Sequence, residues 1–149
     1  MCRALSLDIN RPMSAEIEVE LVQVVFDETK DQQTIRLREK NGSRSFQIII
    51  GTHEAVEIHR KLLGRTAPRP LTHDLIGQVL HITGSEIERV VVSDLRNGTF
   101  YATIYLSLVN GETAPVDARP SDAIALAIAN NCAQRLFVME HVFDELSHG

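Results

Sequence analysis

Seven consecutive apolar residues, Ala123 to Ala129, constrain this chain more than any other feature. A short Ala-Leu-Ala-Ile strand is the competing reading, but alanine is a poor strand former and both ends of the run carry helix signals. Ser121 can cap a helix through its hydroxyl, and Asp122 then sits beside the positive helix end. Asn131 can take the left-handed conformation that stops a helix. A helix apolar all round has no wet face, so it must lie inside the protein or in a subunit interface. Polar chemistry therefore meets the core at residues 117 to 122, where a site is expected.

A core able to receive such a helix is available. The 149 residues are 44% hydrophobic and 23% charged, which fits one globular domain. The formal charge of -5 counts against a protein that coats nucleic acid electrostatically, although a small basic groove can exist on an acidic surface. Cys2 and Cys132 are too few for a disulfide framework, which points to a reducing compartment. No stretch has the length of a membrane span, and no signal-type apolar run follows Arg3. The expectation is a soluble, cytoplasmic protein with no membrane partner.

Residues 1–15, which include Pro12, read as an N-terminal arm, residues 16–146 as the domain, and residues 147–149 as a tail. Ile17, Val19 and Leu21 alternate with Glu16, Glu18 and Glu20, a strand with one solvated side that runs on into Val24, Val25 and Phe26, where burial on both faces or a bulge would suit. Asn41-Gly42 centres a hairpin that places Leu37 opposite Phe46 and Ile35 opposite Ile48. Thr52 can cap a helix that buries Ala55, Ile58, Leu62 and Leu63. A second helix starts at Thr72, with Leu75, Ile76, Val79 and Leu80 as its buried stripe. Asn97-Gly98 centres a second hairpin with Asp94 opposite Tyr101 and Arg96 opposite Thr99. Its core face is expected to carry Val91, Ser93 and Leu95, and its other face Val92, Asp94, Tyr101 and Tyr105. A short strand at 114–117, the apolar helix, a strand at 136–139 and a terminal helix around Val142, Phe143 and Leu146 complete the chain. Adjacent hairpins exclude a purely parallel doubly wound sheet, so the fold class is α+β with a mixed or antiparallel sheet and packed helices.

The sequence contains no phosphate loop, dinucleotide glycine set, zincin pair or cysteine-based zinc site. What remains is a scatter of carboxylates near element ends, Glu54, Asp74, Asp94, Asp117 and Asp122, the oxygen ligands that suit magnesium or manganese. Capping alone also explains Asp74 and Asp122. Arg119 can hold Asp117 or Asp94 in a buried ion pair, or present its fork to phosphate. His73, in a first helical turn, reads either as a surface or capping residue or as a base. Arg60, Lys61, Arg65 and Arg69 form a local basic cluster, and Tyr101 and Tyr105 can stack bases or fill a dimer interface.

Three strings in order, Pro68-Arg69-Pro70-Leu71-Thr72-His73-Asp74-Leu75, Val91 to Ala102 and Val116 to Ala127, together with Ile50-Gly51 before Glu54-Ala55, resemble the bifunctional nuclease domain family, also called the DNase-RNase domain family. The likeness runs from about Ile17 to Leu146 and has Asn131 where the family's helix ends in glycine. The resemblance implies a wedge-shaped α+β domain, a homodimer, and a groove acting on DNA and RNA. His73, Asp74, Asp94, Arg96, Asp117, Arg119 and Asp122 occupy its motif positions. For a phosphodiester hydrolase, the expected roles are catalysis by His73, Asp94, Asp117 and Asp122, and substrate binding by Arg69, Arg96, Arg119 and Tyr101. Asp94, Asp117 and Asp122 would hold Mg2+ or Mn2+. A noncatalytic dimeric binding or regulatory module with the same fold is the other reading.

Overall fold

The computed structural model describes residues 15–148, so residues 1–14 of the expected arm and Gly149 of the tail lie outside it. The elements follow the order β1 (Glu16–Val25), β2 (Gln32–Glu39), β3 (Ser45–Gly51), α1 (Thr52–Leu62), α2 (Thr72–Ile82), β4 (Glu86–Arg96), β5 (Thr99–Ser107), β6 (Thr113–Ala118), α3 (Pro120–Ala129), β7 (Leu136–Met139) and α4 (Glu140–His148). The seven strands form one sheet in the order β3-β2-β1-β7-β4-β5-β6. All neighbours are antiparallel except β4 and β7, which run parallel. This is the mixed α+β architecture that the alternating hairpins and helices require.

The register of β2 on β3 is the one centred on Asn41-Gly42: Leu37 faces Phe46 and Ile35 faces Ile48. The turn itself is wider than a two-residue loop. Glu39 donates its N–H to the Arg44 carbonyl, and neither Asn41 nor Gly42 has a positive φ. A loop centred on the same pair leaves the register unchanged. In the second hairpin Asn97 (φ 51) and Gly98 (φ 76) do supply the two left-handed residues of a tight turn. Asp94 faces Tyr101 and Arg96 faces Thr99 as expected, but a register shift between Val92 and Asp94 inserts Ser93 as an extra residue. The pleat resets there, so Val92, not Val91, shares the core face with Leu95. Val91 lies opposite Thr103 and is buried all the same. β1 has its own irregularity between Leu21 and Gln23.

The sheet is curled. In a flat sheet β3 and β5, five positions apart, would be separated by about 24 Å at the usual strand spacing. Instead Phe46 of β3 stacks on Phe100 of β5 with ring centroids 5.6 Å apart, and Phe143 of α4 packs edge-on to Phe46. α3 lies against the sheet through β3, β4 and β5, and α1 and α2 cover its other side. Being a middle layer, it buries Pro120, Ser121 and every residue from Ala123 to Ile128.

Proline is tolerated at the first helical position because its missing N–H has no helical partner there. Pro120 accordingly opens α3, which moves the cap from Ser121 to Arg119. At the other end Asn131 has φ 59. Cys132 N–H reaches the Ala127 carbonyl at 2.7 Å and Asn131 N–H reaches that of Ile128 at 3.3 Å, a Schellman stop.

The two outer helices are less buried than their sequence pattern implies. α1 is capped by Gly51, and the Thr52 hydroxyl instead donates to the Asp31 carbonyl at 2.9 Å. Ala55 and Ile58 are buried, whereas Leu62 and Leu63 are exposed. Of the expected α2 stripe only Leu80 packs against the core: Leu75, Ile76 and Val79 face solvent, and His73 is the buried residue. α2 also approaches α3 closely at Gly77. A methyl group at Gly77 would overlap the Asn130 side chain, so glycine there permits the close approach. No helix among the described residues is long and apolar enough to cross a membrane.

Candidate functional site

Three helix amino-terminal regions converge at one place. Glu54 and Glu57, one turn apart, come from α1, His73 from the first turn of α2, and Arg119 and Asp122 from the start of α3. Helix amino termini carry partial positive charge, which favours carboxylates there.

His73 is the centre of the group and its side chain is only 8% exposed. Its Nδ1 contacts Glu57 Oε2, and its Nε2 lies 3.2 Å from Asp122 Oδ1. Both ring nitrogens therefore face a carboxylate oxygen, so a proton on either nitrogen has an acceptor within reach. Asp122 is shared further: its Oδ2 accepts from Arg119 Nε at 2.9 Å and lies 2.8 Å from Nη2. Arg119 Nη2 also donates to Glu54 Oε1 at 3.2 Å. Asp122 first, and Glu54 after it, raise the guanidinium pKa above its ordinary value. The Arg119 side chain is nonetheless 68% exposed. These residues, with His53, Arg60 and Thr72, line an open cleft of about 550 Å3.

Several expectations are corrected by this geometry. His73 is neither a surface residue nor a simple cap. Arg119 does not pair with Asp117 or Asp94, its partners being Asp122 and Glu54. Asp117 is exposed on β6 opposite Thr103, so the two residues are not a buried pair. Asp94 lies on the outward face of the second hairpin, 2.9 Å from Arg96 Nε and 3.5 Å from His141 Nε2. Arg96 also lies over the Tyr101 ring, 4.0 Å from its centroid, which occupies one face on which a base could stack. Asp74 is structural: it accepts from the Leu71 N–H at 3.0 Å and pairs with Lys61 at 2.8 Å. Arg69 lines a different recess with Lys61, Pro68, Pro70 and His81.

Among the described residues no group of three or more His, Cys, Asp or Glu is placed to hold a metal ion, so Asp94, Asp117 and Asp122 do not form such a set within one chain. Glu54 and Asp122 do converge, since both reach the same guanidinium nitrogen of Arg119. Magnesium commonly takes one or two carboxylates and keeps several waters, and this pair suits that demand. Glu57 is the residue that sequence reasoning missed. Its signal was its position three residues after Glu54, which puts both carboxylates on neighbouring parts of one helix face.

A family model for the bifunctional nuclease domain matches residues 35–148. Two proteins of Mycobacterium tuberculosis, from strains CDC 1551 and H37Rv and both described as uncharacterized, are each 40% identical over 111 residues. The matched region covers 74% of this chain and 65% of each relative's length.

Proposed function

The chain belongs to the bifunctional nuclease domain family, and from that premise we propose that it hydrolyses phosphodiester bonds of DNA and RNA in the cleft around His73. The observation that carries the reading is a buried histidine held between Glu57 and Asp122, with an exposed arginine anchored on that same Asp122. Hydrolysis needs a proton acceptor for water, a positive group for the phosphoryl oxygens and a proton for the leaving oxygen. Glu57 orients the His73 ring, as a carboxylate does in hydrolytic triads. Asp122, the more exposed partner at the cleft wall, takes the proton of the attacking water, shares it with His73 and returns it to the leaving oxygen. Arg119 is free to turn from its carboxylates and donate two parallel hydrogen bonds to a phosphate. Glu54 and Asp122 would hold a magnesium or manganese ion, which when bound polarises a phosphoryl oxygen and acidifies water.

The test compares repurified wild type with His73→Gln, Asp122→Asn and Arg119→Lys on single-stranded DNA and RNA, with chelator and with added magnesium or manganese. The expected result is metal-restored cleavage that falls at least a hundredfold in the first two variants. Parallel preparation of the variants controls for contaminating nucleases, whose activity no substitution here would remove. Loss confined to Asp94→Asn or Asp117→Asn would move the chemistry out of this cleft. No turnover under any condition would leave a noncatalytic binding or regulatory module as the function.

We propose in addition that the chain acts as a homodimer joined through α2. Leu75, Val79 and Ile82 form an exposed apolar strip, and Val109 (76% exposed) extends it beside Gly84 at the helix end. Contiguous exposed apolar surface of this kind is costly in water and typical of an interface. Light scattering should give twice the chain mass, and Val79→Glu should give the monomer. A monomeric wild type at micromolar concentration would refute the assembly.

A further inference from the structure

A second cavity adjoins the cleft on the other side of the His73–Asp122 contact. It has a volume of about 440 Å3, within the range of small-ligand pockets. Its walls are Ile76 and Leu80 of α2, Ile104 and Leu106 of β5, Val116 of β6 and Leu126 of α3. At one end stand Thr72, His73 and Asp122, the residues that it shares with the polar cleft. Along one side runs β6, the last strand of the sheet, whose outer edge has no strand neighbour. Asp117 and Ala118 of that strand line the cavity. Edge strands leave backbone N–H and C=O groups unpaired, and these can hydrogen-bond a ligand's polar rim.

An occupant that fits both compartments has an apolar body with donors and acceptors around its edge, and an anionic group close enough to reach Arg119. A nucleotide has this construction. We propose that the apolar cavity seats one unpaired nucleobase of a single strand while the adjoining phosphate lies in the His73–Arg119 cleft. The inference rests on the phosphodiesterase reading and adds to it a substrate class, unpaired rather than duplex nucleic acid. A base within a duplex is stacked on both faces and paired at its edge, so it would have to leave the helix to enter. Apolar walls with a backbone rim also favour any base over a particular one, because every base has an apolar face and a polar edge. Such a seat tolerates both DNA and RNA, since the cavity reads the base and not the sugar.

The experiment measures fluorescence-anisotropy affinity for labelled strands of about ten nucleotides. Intact single strands, the same sequence as a duplex, and strands carrying abasic tetrahydrofuran positions are compared, in chelator to prevent turnover and again with calcium. Wild type should bind the intact single strand about tenfold more tightly than either of the others. Val116→Trp, at a 41% exposed rim position, should fill the mouth and abolish that preference without lowering the melting temperature. Ala118→Leu gives a second obstruction should the first disturb β6. Equal affinity for intact and abasic strands overturns the base seat, as does a folded Val116→Trp protein that keeps the preference. If cleavage persists in either case, the phosphodiesterase reading survives. Preferential binding without cleavage by any preparation supports the seat and refutes hydrolysis. Absence of binding to every strand overturns the seat directly.

Discussion

Replacing Arg119 by alanine separates a structural arginine from a working one. Arg119 bridges Asp122 at 2.8 Å and Glu54 at 3.2 Å, which on a drawing resembles a structural clasp. Exposure decides otherwise. The guanidinium side chain is 68% exposed, so most of its Coulomb attraction is screened by water. Exposed pairs of this sort are worth about 0.2 to 1 kcal/mol each, and the Asp122 partner is itself 37% exposed. Glu54 is better buried, which moves the sum toward the upper end. The substitution should therefore cost about 1 kcal/mol, well below the 3 to 5 kcal/mol or so expected for one partner of a fully buried pair. Urea unfolding of wild type and Arg119→Ala, at low and high salt, measures the difference. Raised salt should shrink it, because screening already weakens the wild-type pair. Turnover, in contrast, should fall at least tenfold through a weaker hold on phosphate. A stability loss above about 2 kcal/mol together with unchanged turnover would show Arg119 to be a structural tie and would refute its role on substrate.

Three further outcomes follow from the local geometry. Burial pushes the Asp74 carboxyl upward, but Lys61 and the Leu71 amide outweigh it and hold the pKa below the ordinary value. A depressed folded-state pKa stabilises above the unfolded value and loses that stabilisation as pH falls through the folded one. Wild type should thus lose stability more steeply than Asp74→Asn below about pH 4, as read from urea midpoints across a pH series. Gly77→Ala should cost about 1 to 3 kcal/mol, because its methyl group meets the Asn130 side chain that ties α2 to α3; an unchanged melting temperature would show that Asn130 moves aside freely. Asn131→Gly should stabilise by a few tenths to about 1 kcal/mol, since φ 59 is unstrained for glycine, and any destabilisation would point to a further contact of the asparagine.

Features governed by neighbouring residues were legible in the sequence. Turn chemistry at Asn97-Gly98 set the start of the second hairpin, and hydrophobic alternation set the register of the first even though its loop is wider than expected. The run Ala123 to Ala129 dictated a helix with no wet face, and the potential of Asn131 for positive φ dictated its end. The order of strands and helices followed from the same local rules of period and punctuation.

Tertiary structure decided the rest. The extra residue at Ser93 exchanged the faces of Val91 and Val92, because a bulge depends on what the partner strand presents as well as on the strand's own pattern. Apolar spacing on α2 was real, but spacing does not say which apolar face meets the core. Packing through Gly77 and His73 left Leu75 and Val79 exposed. The site itself depended on distant contacts: Glu57 lies 16 residues from His73, Asp122 lies 49 from it, and Glu54 lies 65 from Arg119. Each side chain carries an ordinary surface or capping signal in its own segment. Only the meeting of three helix starts beside the curled sheet turns those residues into one cleft.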